Sequence, residues 1–233
     1  MAEFTKYSSM EEIPKDFFSR LKRMVSSSAG RAIIIVHPFY AERTTGYSQA
    51  QYDAYLKTIF GILTRSTLPI IVLESSPGVV KAKLGETVAS RKNIFCLPAH
   101  DDNPNIIEKI RKNLFLEQQR DSATLKQILI RSGVRTIQMG GSFFGENHSV
   151  EVFAHESKFL PPRLSPSYDT LTTGCAGSCY ADLIKSGLFE KVSLLPNACF
   201  DKKPIKQKRA VTKRETQNWI NRAKKRMVLK RRC

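Results

Sequence analysis

The sequence predicts an α/β protein: a three-layer αβα, Rossmann-like domain built on a mostly parallel sheet, followed by a basic C-terminal tail. Three observations carry this. Short β-branched runs recur along the first 200 residues, helical periodicity separates them, and the crossover connections this implies are those of parallel strands with helices on both faces. With 233 residues, 41% of them hydrophobic, the chain has material for one full core rather than two. We therefore assign residues 1–200 to the domain and 201–233 to the tail.

In order along the chain, Ile13, Phe17, Leu21 and Met24 recur every three or four residues, an amphipathic helix at about 10–27. Ala32-Ile33-Ile34-Ile35-Val36 then forms a strand buried on both faces, stopped at His37-Pro38. Ser48 to Gln51 reads as a capping box, and Tyr52, Leu56, Ile59, Phe60 and Leu63 continue that helix. Pro69 to Leu73 and Asn93 to Leu97 give the next two strands. Asp121 or Ser122 caps a helix through Leu125, Ile128 and Leu129 to Gly133, which hands over to a strand from Arg135 to Met139 and the pair Gly140-Gly141. A last helix from Cys175 to Ser186 ends at Gly187 and leads into a strand from Lys191 to Leu195.

Charge is unevenly spread. Net charge is +17, but residues 201–233 carry 14 Lys and Arg against Asp201 and Glu215, a net of +12. Such a tail is drawn to nucleic acid or to an anionic membrane surface, or stays solvated, partly helical or disordered. Trp219, Ala223 and Met227, spaced by four, suit a short helix within it. No apolar run approaches the ~18 residues of a membrane span, and the first residues lack the pattern of a secretory signal. Five cysteines, an odd number, do not make a disulfide scaffold. These features place the protein in the cytoplasm with reduced thiols, with a non-Sec export route left open.

In parallel sheets chemistry gathers at the carboxyl ends of the strands. The residues there are His37, Glu74, His100, Asp101, Gly140, Gly141, Asn197 and Cys199. Beyond them, Cys175 opens a helix in Thr172-Thr173-Gly174-Cys175, where free backbone N–H groups and the helix dipole favour a thiolate and could hold an oxyanion. A small buried residue at a tight helix–sheet contact would look the same. Gly140-Gly141-Ser142 lacks the spacing of a phosphate-binding loop, and Cys175-x3-Cys179 with His148 and His155 is a poor zinc pattern. Neither cofactor nor metal is expected.

Three stretches together resemble the isochorismatase-like cysteine hydrolase superfamily, as a divergent member. Lys109-Ile110-Arg111, with Phe115, is similar to its Lys-x-Arg-x-Ser-Ala-Phe-like segment. Thr172 to Cys175, with Gly187 closing the helix, is similar to its nucleophile segment, and Asn197-Ala198-Cys199 to its Asp-Ala-Cys end. The resemblance covers roughly Arg31 to Phe200. It implies an amide or ester hydrolase acting on a small molecule, with Cys175 as nucleophile, Lys109 as the cation that lowers the thiol pKa, and Thr172, Thr173 and Gly174 at the oxyanion turn. Family habit also implies a homo-oligomer. Taken alone, Lys109 would be a solvated residue.

Three departures qualify this. The family's strand-end aspartate is replaced by His37, which can itself deprotonate a thiol or simply close the strand; Glu42 and Glu74 are other possible carboxylates. A rim insertion at about 142–174 replaces a short turn, and Thr173 stands where aspartate is frequent. Cys179 is the alternative nucleophile. The competing functions are a catalytically altered member acting as a binding or regulatory protein, and a nucleic-acid- or surface-associated protein working through its tail.

Overall fold

The computed structural model describes residues 16–39, 48–74, 77–99, 105–108, 122–142, 175–200 and 211–212. In chain order the elements are α1 (Phe17–Ser27), β1 (Arg31–Val36), α2 (Gln49–Arg65), β2 (Ile70–Glu74), α3 (Pro77–Leu84), α4 (Glu86–Ala89), β3 (Ile94–Pro98), β4 (Ile106–Glu108), β5 (Ser122–Thr124), α5 (Leu125–Arg131), β6 (Thr136–Ser142), α6 (Cys175–Ser186), β7 (Lys191–Phe200) and β8 (Val211–Thr212).

The main sheet has the order β3-β2-β1-β6-β7-β8. Its first five strands are parallel and only β8 is antiparallel. β1 is central, pairing Ile33 with Ile70 on one side and with Gln138 on the other. It can be so because Ala32 to Val36 is apolar at every position, leaving both faces fit for a core.

Alternate residues of the strands feed two cores. Ala32, Ile34, Val36, Ile71 and Leu73 pack with α1, α5 and α6; Ile33, Ile35, Ile70 and Val72 pack with α2 and α3. Helices therefore cover both faces, the three-layer arrangement expected. The layering follows from handedness. The chain leaves β1 toward β2 through α2 and leaves β6 toward β7 through α6, in opposite directions, so the same right-handed crossover needs opposite faces.

α1 begins at Phe17 within the span expected for it, and its Phe17 ring meets Phe95 edge-on at 5.3 Å. α2 starts after Ser48 as read, but the capping hydrogen bond is absent. α5 starts later than expected, because Thr124 rather than Asp121 or Ser122 closes a reciprocal capping box with Gln127. Ser122 instead lies in β5, which pairs antiparallel with β4. α3, α4 and this small pair were not anticipated.

β7 runs on past Leu195 to Phe200 through a bulge. Met139 faces Leu194 but Gly141 faces Cys199, so residues 195 to 198 stand against Gly140 alone, three more than a regular ladder holds, with Asn197 at a left-handed φ of 57°. One part of the tail behaves unexpectedly too: Val211–Thr212 is neither helical nor disordered but pairs with Lys191 and Val192. The remaining tail, 201–210 and 213–233, lies outside the described residues. Among those described, no helix is long and apolar enough to cross a membrane.

Candidate functional site at the carboxyl edge

In this strand order the connections diverge between β1 and β6. That gap at the carboxyl ends is where open α/β sheets bind their ligands.

His37 follows β1 directly. Its N–H continues the ladder by donating to the Leu73 carbonyl at 2.7 Å, its residue surface is 0% exposed, and its φ is +43°. A residue before proline is pushed toward extended backbone. His37 therefore sits in a sparsely populated region worth about 1–3 kcal/mol, which the surrounding sheet must hold in place.

Across the gap, β6 ends in Gly140, Gly141 and Ser142. A Cβ on Gly140 would stand 2.6 Å from the Ala198 carbonyl oxygen, and one on Gly141, at φ +137°, would meet the Val36 backbone. The glycines thus let β6 sit tightly against both β1 and the bulge of β7. Ser142 is buried; its hydroxyl donates to the Pro38 carbonyl (3.5 Å) and meets the Tyr55 hydroxyl at 3.3 Å. Burial pushes the Tyr55 phenol well up, aided by nearby Cys199, Tyr52 and Glu74 and opposed by the Ser142 bond. Glu74, the last residue of β2, is 1% exposed. Tyr55, Ser142 and Glu74 make a buried polar group on the α2 side of the edge. Helical spacing marked Tyr52 as core, but nothing in the sequence brought Tyr55 or Ser142 forward.

Cys175 is the first residue of α6. α6 packs on β1, β6 and β7 and ends at the amino edge, where Gly187 turns into β7. Twelve residues at ~1.5 Å each carry its start back to the carboxyl edge. Cys175 is partly exposed there and packs on the α1–α5–α6 core. The fold thus brings Cys175 and His37 to one edge of the sheet.

The other thiols differ. Cys179 is fully buried, and its thiol is pushed far up by that burial, then by Asp182 and Cys175, with Lys126 acting weakly the other way. Burial thus disfavours its thiolate, which weighs against Cys179 as the alternative nucleophile. Cys199 is bonded to the Met139 and Leu195 carbonyls at 3.8 Å and is pushed up to about 12 by burial. Lys109, Thr172, Thr173, Gly174, His100, Asp101, Glu42, His148 and His155 lie outside the described residues, as does the insertion after Ser142. Among the described residues no three His, Cys, Asp or Glu are grouped to hold a metal ion.

The fold and this edge define a class, an open doubly wound α/β protein with polar groups and a helix-initiating thiol at its switch point. Family models, curated proteins and solved structures contain no match to the chain.

Proposed function

We propose that the protein is a cysteine hydrolase of the isochorismatase-like type, cleaving an amide, or less readily an ester, of a small molecule. One observation carries the reading: Cys175 opens α6 at the same sheet edge as the strained, buried His37. A thiol in the first turn meets the positive end of the helix dipole and N–H groups without intrahelical partners.

His37 takes the Cys175 proton as Sγ bonds to the substrate carbonyl carbon. The oxyanion is held by first-turn N–H groups. The C–N bond then breaks, the His37 proton passes to the leaving nitrogen, and a thioester remains. Water attacks the thioester, gives its proton back through His37, and releases the acid and the free thiol. Lys109, by the resemblance, steadies the negative charge.

Iodoacetamide labelling across pH, read by mass spectrometry, tests this. Cys175 should label with a midpoint below the ~8.5 of a free thiol and lose that advantage in His37→Ala and Lys109→Ala. Labelling no faster than at Cys233 overturns the reading.

The net charge of +12 on residues 201–233 supports a second role, holding the domain near nucleic acid or anionic membrane. Binding that falls steeply with salt and weakens strongly on deleting 213–233, which removes nine of the 14 Lys and Arg, is the expected outcome. The deletion stops short of β8, so the sheet is left whole.

A further inference from the structure

The amino edge, opposite the candidate site, carries an exposed set of side chains that the proposed chemistry leaves unused. Among the described residues, the large hydrophobic side chains open to solvent are Ile130 and Leu188, 48% and 50% exposed. Both stand at one seam. Lys126 of α5 and Asp182 of α6 meet at 2.8 Å, which sets the two helices side by side on the same face of the sheet. Ile130 follows Lys126 by four residues, one turn nearer the amino edge on the same side of α5. α6 ends one turn beyond Asp182, at Ser186, and Leu188 stands between it and β7. The seam thus opens at the amino edge with an aliphatic side chain on either side.

The charge around it is positive. Arg131 ends α5, Arg135 stands just before β6, and Arg31 and Lys191 open β1 and β7; all four are exposed. Arg31 faces Thr136 and Thr136 faces Lys191, so their backbones lie within two strand spacings, about 10 Å. Glu190 is the acid among them, 3.4 Å from Arg135. A helix C-terminus accounts for Arg131, but Arg31 and Lys191 begin strands, whose ends call for no cation. β8 adds to the set. Thr212 faces Lys191, so the chain beyond it starts from this edge, and residues 213–233 carry nine Lys and Arg against Glu215. Near the helix starts of the opposite edge the exposed charges, Asp16 and Asp53, are acidic.

We propose that the amino edge docks on an anionic membrane surface. Ile130 and Leu188 enter the interface, while Arg31, Arg131, Lys191 and the segment after Thr212 meet the lipid headgroups. The aliphatic pair decides the partner. Cations alone serve any polyanion. Two aliphatic side chains on a convex rim suit a bilayer, whose apolar layer lies just beneath its phosphates, better than the polar, charged outer face of a duplex. The proposal rests on the tail's second role for part of its charge, and adds a face and an orientation. Cys175 and His37, at the other edge, are left facing water.

The test is flotation of the full chain with vesicles of phosphatidylcholine alone, or with about 30% phosphatidylserine, in about 0.1 M salt. Binding should require the anionic lipid. Ile130→Ser with Leu188→Ser should weaken it about tenfold, as should Arg131→Gln with Lys191→Gln, whereas Lys57→Gln on the outer face of α2 should leave it unchanged. Hydrogen exchange on the unaltered chain asks nothing of a variant's folding. Anionic vesicles should slow the turns at 28–31 and 187–190 and leave the start of α2, 48–51, as it was. Vesicle binding that both double variants retain, but that falls strongly on deleting 213–233, overturns the docking face and keeps the tail's role. Salt-sensitive binding to a DNA duplex with none to vesicles also overturns it, in favour of nucleic acid. Binding to neither removes the tail's role as well.

Discussion

The two ends of the sheet treat polar side chains in opposite ways. At the amino edge they tie down turns. Asn93 donates to the Ser66 and Leu68 carbonyls, both at 2.9 Å, Arg91 reaches the Leu63 and Ser66 carbonyls, and Arg135 reaches the Ala29 carbonyl at 3.2 Å and Glu190 at 3.4 Å. Apart from the Arg135–Glu190 ion pair, each of these closes a backbone group that the end of a strand or helix leaves open, the ordinary use of a polar residue at a loop. At the carboxyl edge His37, Glu74, Ser142 and Tyr55 are buried among strand ends, beside a strained residue and two glycines that a methyl group would disrupt. One edge is organised for stability and the other carries cost, and strain of that kind gathers at functional sites.

Four substitutions sharpen the contrast. The largest effect is expected for Gly141→Ala. Its Cβ would stand 2.7 Å from the Val36 nitrogen and closer to the Val36 oxygen, at a φ that alanine resists, so a loss of about 4 kcal/mol in denaturant unfolding is expected. A loss under ~1 kcal/mol would mean that the edge is looser than its glycines imply. Next, Cys175 should react with iodoacetamide at neutral pH about 100-fold faster than Cys179, whose thiol burial keeps protonated, and Cys175→Ser should abolish the fast phase. Equal rates would erase the distinction between edge and core.

Tyr55→Phe removes the bond to Ser142 and should cost about 1 kcal/mol, with thermal unfolding as the readout. Arg135→Ala, at the amino edge, breaks an ion pair whose partners are 58% and 57% exposed, and should change stability by less than ~0.5 kcal/mol beyond its bond to Ala29. A larger loss at Arg135 than at Tyr55 would invert the comparison.

A pH series adds a check on the buried side. The folded pKa of Cys199, about 12, lies above that of the unfolded thiol, ~8.5, so the unfolded chain ionises first. The stability linked to this group is whole below ~8.5 and declines as pH climbs toward 12. Cys199→Ala should flatten that alkaline decline, measured as denaturation midpoint against pH.

Much of the fold was legible, for a physical reason. Ala32 to Val36, Ile70 to Leu73 and Ile94 to Leu97 must be buried on both faces, and such runs announce parallel strands without any partner in view. α6 was legible from Cys175 to Gly187 because its two ends are marked. What escaped were elements whose form depends on neighbours: α3 and α4, the β4–β5 pair, and β8, which exists only because β7 offers it an edge. The bulge of β7 escaped for the same reason, since residues 195 to 198 read as the end of a strand until Gly141 fixes Cys199 opposite it. At the site, His37 and Cys175 stood out by sequence position. So did Glu74, at the end of a strand; Tyr55 and Ser142 did not, because the bond between them joins residues 87 apart in the chain.

The central place of β1 also has a consequence in time. Its partner on one side, β2, follows closely in the chain, whereas β6 comes much later; Arg135 bonds Ala29 across 106 residues. During synthesis β1, β2 and β3 can assemble while the other side of β1 has no partner, leaving an apolar strand edge open to any chain nearby. Closing that edge requires a long loop to be drawn in first, which slows folding. The strand that forms the heart of the finished sheet is therefore the one most exposed to misassociation on the ribosome, and early capture by a chaperone should raise the yield more than any surface substitution.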